Sequence, residues 1–128
     1  MRPLGGRVLE SGLRGAYAPD PVPPDHLAAA PGLWLRPGQL AATVWDTRLL
    51  NAALRTTGGA YRRLAVPTVI LVGERDGGGA ESRRLAREVP GAELVVLPGA
   101  GHHLPRARPA PIAAAVGRVT ARAAAAGG

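Results

Sequence analysis

The sequence predicts an α/β protein built on two parallel strands, and three observations carry that prediction. Two short apolar runs, VPTVILVG and AELVVLPG, are bounded by proline and glycine, the form taken by strands buried on both faces. Each run is followed by a stretch of helical character, AESRRLAREVPG after the first and PAPIAAAVGRVTARAAAA after the second. The order strand, helix, strand, helix implies a right-handed crossover and parallel pairing.

Each element has a local reason. Residues 1 to 38 carry proline patches such as APDPVPPDHL and RPGQ, so only short helical pieces are expected there, for example HLAAA capped by Asp25 and stopped at Pro31 and Gly32. In residues 38 to 57, Leu40, Val44, Thr47, Leu50 and Leu54 recur at steps of three and four, which predicts an amphipathic helix closed by Gly58 and Gly59. Pro67 and Gly73 bound the first strand, and the next helix is expected from about Glu81 to Val89. Pro109 and Pro111 stand where the first turn of a closing helix tolerates proline.

Composition narrows the function classes. With 128 residues and 46% hydrophobic content, one ordinary domain with a real core is affordable in length, although there is no Phe and alanine supplies much of the apolar fraction. All 16 basic residues are arginine against nine acids, a net charge of +7, but the arginines are spread from Arg2 to Arg122. A solvated arginine-rich surface is the expectation, and no nucleic-acid partner. The absence of cysteine removes disulfides, thiolate metal sites and cysteine nucleophiles. No signal-like start and no membrane-length apolar run are visible, so no membrane partner and a soluble, cytoplasmic setting are expected. No cofactor and no metal site are expected either.

The parallel strands place their following loops at one sheet edge, where open α/β folds hold their ligands. Asp76 follows the first strand, and His102 and His103 follow the second. If the strands are neighbours, about 4.8 Å apart, a carboxylate and an imidazole come within hydrogen-bonding reach. Such a carboxylate holds the histidine in one tautomer and stabilises the imidazolium that forms when the ring takes a proton.

The stretch VPTVILVGERD, a helix, then PGAELVVLPGAGHHLP and a final helix resembles the C-terminal half of an α/β-hydrolase, lipase-like or esterase-like, over residues 61 to 118. In that family a G-x-x-D turn supplies the acid and a G-x-G-H turn the histidine. The resemblance implies Asp76 as the catalytic acid and His102 as the base, at an interval of 26 residues. His103 falls where the family has an apolar or bulky neighbour and is expected to shape the site wall. YAPDPVPPDHL and LRPGQLAATVWDTRLL are similar to the family's lid. The implied fold is a partial α/β-hydrolase fold, with residues 1–60 as a helical lid or cap segment and residues 61–128 as the C-terminal part of the core.

Two departures from the family pattern matter. The loop after Asp76 reads GGGAES, without the family's packing residues, so a looser acid is expected. No G-x-S-x-G elbow exists, and the only serines, Ser11 and Ser82, lack its flanking glycines. The implied function is therefore an ester-hydrolase fragment that supplies acid and base, acts on a small ester-like substrate once completed, and is inactive alone. The alternative is a non-catalytic module that binds a partner chain over its open sheet edge. Glu74 and Arg75 read as exposed turn charges, His26 as exposed, and Trp34 and Trp45 as core or lid packing.

Overall fold

The computed structural model describes residues 4–127. It resolves into two compact units, one holding the chain up to Gly15 together with Pro21–Gly59, the other Ala16–Asp20 together with the chain from Ala60 onward.

The second unit is a β-α-β arrangement. Strand β1 (Val69–Gly73) pairs in parallel with β2 (Glu93–Leu97), Val69 standing opposite Glu93 and Gly73 opposite Leu97. Helix α4 (Gly79–Glu88) makes the crossover, and a single turn, α5 (Leu104–Ala107), leads into α6 (Pro109–Ala126). The expected strand, helix, strand, helix order and the parallel pairing are both present. Val69 and Leu71 face α6, where they line a groove with Ile112, Ala115, Val116 and Val119. Glu93, on the same face, bonds Arg118 at 3.2 Å and Arg122 at 2.7 Å, fastening β2 to α6. Full burial of both strand faces is not observed: in β1 only Val72 and Gly73 are buried, and β2 has no buried residue. A sheet of two strands has no neighbours to cover its outer sides.

The first unit contains helices α1 (Leu4–Tyr17, whose last two residues belong to the second unit), α2 (Pro24–Trp34) and α3 (Pro37–Thr57). Helix α1 corrects the expectation of short pieces. The window between Pro3 and Pro19 is free of proline, and Leu9, Leu13 and Tyr17 recur at four-residue steps, a stripe that outweighs the cost of the helix's glycines. Helix α2 does not stop at Pro31 and Gly32. Pro31 gives up one N–H bond, but its carbonyl still accepts the Leu35 N–H at 3.4 Å, and Leu27, Pro31 and Leu35 face Leu9 and Leu13 across an apolar groove of about 230 Å³. Asp25 sits inside the first turn, where it favours the helix dipole, and Pro23 takes the cap position.

Helix α3 forms where expected, but its apolar stripe is not core: Leu40, Val44, Leu50 and Leu54 are all exposed and no residue of the helix is buried. The α-helix ends at Thr57 with Gly58 as its cap, as expected, although Gly58 stays right-handed and the chain runs on through a 3-10 segment, Gly58–Arg63. Trp34 and Trp45 are exposed rather than packed, with the Arg48 guanidinium 5.8 Å from the Trp45 ring. His26 is half-buried. Among the described residues no helix is long and apolar enough to cross a membrane.

Candidate active site

The two loops leaving β1 and β2 are laced together by backbone bonds. The Glu74 N–H donates to Leu97 C=O and the Arg75 N–H to Ala100 C=O, both at 3.0 Å. The Glu74 carboxylate accepts the Gly99 N–H at 2.9 Å. The approach is so close that a Cβ on Gly73 would collide with the carbonyls of Ala100 and Gly101, which is why glycine ends β1.

This lacing brings Asp76 and His102 together, with Oδ2 of the carboxylate 3.0 Å from Nδ1 of the imidazole. The Asp76 side chain is only 17% exposed and the His102 side chain 65%, so the acid is sheltered and the imidazole presents itself to solvent. The other carboxylate oxygen accepts the Gly78 N–H at 3.0 Å. That bond corrects the expectation of a loose acid: the glycine run turns tightly enough to aim its own amide at the carboxylate, an Asx turn, and then starts α4. The Gly78 amide, followed by the His102 hydrogen bond, holds the Asp76 carboxyl below its ordinary value of 3.8; partial burial opposes this, and the charge of His102 adds to it.

An ionised carboxylate only accepts hydrogen bonds, so the 3.0 Å contact places the proton of a neutral His102 on Nδ1 and leaves the Nε2 lone pair free to take a proton. His103 packs on Tyr17, ring centroids 4.3 Å apart and planes 16° from parallel, and meets the His102 ring edge-on at 5.5 Å. Glu74 is exposed, as the sequence suggests, yet serves as the tie between the two loops. Ser82 lies in α4 and donates its hydroxyl to Gly78 C=O at 3.0 Å, one turn back along the chain. Among the described residues no group of three or more metal-binding side chains converges.

Sequence reasoning missed the segment Ala16–Asp20. Ala16 C=O accepts the His102 N–H at 3.1 Å, the Ala18 carbonyl closes on the Cα of Gly101, and Asp20 pairs with Arg108 at the entrance to α6. Nothing in the local pattern of AYAPD marks this. The one hint is a tyrosine in a chain with only two, placed four residues after Leu13 on the buried stripe of α1.

A parallel β-α-β unit with a carboxylate and an imidazole on successive strand-end loops is an α/β arrangement with these two side chains at the carboxyl edge of the sheet, where open α/β folds hold their ligands. A family model described as the alpha/beta hydrolase family matches residues 1–115, and the chain belongs to that family. No curated protein and no solved structure matches it.

Proposed function

We propose that this chain supplies the acid and base of a serine-type hydrolase site for small ester-like substrates. His102 Nε2 takes the proton of a serine hydroxyl as its oxygen attacks the ester carbonyl, then returns that proton to the departing alcohol; water repeats the cycle on the acyl-enzyme. Asp76 keeps the ring in the productive tautomer and stabilises the imidazolium. The observation that carries this reading is the 3.0 Å contact between a sheltered, ionised carboxylate and Nδ1 of an exposed imidazole at the edge of a parallel sheet. The sequence holds no G-x-S-x-G, so the nucleophile and the oxyanion donors come from a further segment or a second chain, and residues 1–128 by themselves are inactive. The helical first unit serves as a lid segment.

The test is a fusion of residues 1–128 behind strands that carry a G-x-S-x-G elbow, assayed with a short-chain nitrophenyl ester. The unfused chain should show no hydrolysis beyond that of free imidazole, and the folded fusion should turn over. His102→Ala should abolish that turnover; a folded fusion equally active with and without His102 would overturn the assignment.

A second reading, a non-catalytic module that binds a partner chain, is favoured by the open edge of β1. Thr68 C=O and Glu74 N–H bond to β2, so in the parallel ladder Val69 and Leu71 direct their backbone groups away from it. Beside that edge lies the apolar groove against α6, about 200 Å³. An added β-strand is the partner this geometry fits. A fusion whose sheet edge is covered and whose fold is intact, but which hydrolyses nothing, would favour this reading over the first.

A further inference from the structure

One hydrogen bond fixes a single atom of an imidazole and leaves the plane of the ring free, because the terminal torsion of histidine is broad. The His102 ring has the Asp76 carboxylate at Nδ1 and, on another side, the ring of His103, set edge-on at 79°. His103 can act as a wall only if it is itself held. It is stacked nearly parallel on Tyr17, which is 1% exposed and the largest fully buried side chain among the described residues.

The backbone around the stack is held at both ends. The Ala16 carbonyl takes the His102 N–H, and Gly101 is pressed so closely on the Ala18 carbonyl that a Cβ there would collide with it. Beyond His103, the single turn α5 ends at Arg108, whose guanidinium pairs with Asp20. The segment Ala16–Asp20 thus grips the histidine loop before and after the two imidazoles, with the Tyr17 ring between the grips.

We propose that Tyr17 and His103 form a positioning pair that fixes the plane of the His102 imidazole, Tyr17 as the buried anchor and His103 as the wall. The pair acts through His102 and touches no reacting atom. The inference rests on the reading of Asp76 and His102 as orienter and base, and it assigns a task to the second histidine of GHH that the triad leaves idle.

The test uses the whole 128-residue chain, labelled with ¹⁵N, and reads the imidazole nitrogens of His102 by long-range proton–nitrogen correlation above neutral pH. The wild type and Tyr17→Phe should show His102 as the Nδ1–H tautomer with an observable Nδ1 proton. In His103→Ala and Tyr17→Leu the released ring should swing off the carboxylate part of the time, so that the Nδ1 proton signal is lost to solvent exchange and the two tautomers mix, while the amide signals of β1 and β2 stay in place. Tyr17→Leu empties a buried site and can unfold the unit; His103 is half-buried, so His103→Ala carries the test alone in that event. If Asp76→Asn abolishes the Nδ1–H signal but His103→Ala keeps it intact, the positioning role is overturned and the acid–base reading stands. If the wild type lacks the signal, or Asp76→Asn retains it, the acid–base reading and the positioning pair fall together.

Discussion

The Glu74 carboxylate accepts the Gly99 N–H at 2.9 Å, joining the loop that leaves β1 to the loop that leaves β2. The residue before Arg75 and Asp76 thereby spans from the acid loop to the loop that presents His102. A charge-assisted bond of this kind contributes about 1 kcal/mol at an exposed site. Glu74→Ala should lower stability by about that amount in urea unfolding, and Glu74→Gln, which keeps an acceptor oxygen, should lose less. Equal losses in the two variants would mean that the side chain acts otherwise than as an acceptor.

Close backbone approach makes two glycines obligatory. Alanine at Gly73 or Gly101 drives a methyl into a carbonyl of a neighbouring loop, an overpacking that should cost about 3 kcal/mol or prevent folding. Gly77 is the control, with no atom within 4 Å of an added Cβ. Gly77→Ala should be neutral or stabilising by up to about 1 kcal/mol, through the unfolded chain. Thermal unfolding of the three variants side by side checks the contrast.

The acid limb of stability should carry the signature of Asp76. Its folded carboxyl titrates below the ordinary 3.8, so between the folded and unfolded values the unfolded chain binds more protons and stability rises with pH. The stabilisation is fully present above about pH 3.8 and is lost as the pH falls through the lower, folded value. Asp76→Asn removes it. The stability difference between wild type and Asp76→Asn should therefore be level above that pH and shrink below it, which urea titrations from pH 2 to pH 6 would reveal; a difference that grows on acidification would contradict the cause assigned here.

The sheet and the acid–imidazole contact were legible because they rest on local signals. A β-branched run between Pro67 and Gly73, a second before Pro98, and the rule that parallel strands open their loops at one edge suffice to bring Asp76 to the loop of His102 and His103; the choice of His102 comes from the resemblance to the family's G-x-G-H turn. What the sequence conceals is non-local. The Leu40, Val44, Leu50 and Leu54 stripe of α3 has the period of a buried face, yet every one of these residues is exposed, since periodicity shows which residues share a face and not whether anything packs on it. The glycine run after Asp76 reads as slack but holds the acid, because the turn it adopts puts an amide on the carboxylate. Tyr17 reaches His103 across more than eighty residues of chain, a pairing that no local pattern announces.

The central claim is that Asp76 orients the histidine that moves the proton. In a folded fusion with a nucleophile elbow, the most direct measurement is the kcat of Asp76→Asn against the parent, on a short-chain ester near neutral pH. An asparagine of nearly the same shape keeps the contact but no longer requires the proton on Nδ1, so kcat should fall by about 10³-fold or more with KM little changed. A kcat within about twofold of the parent would show that the 3.0 Å contact has no part in the chemistry.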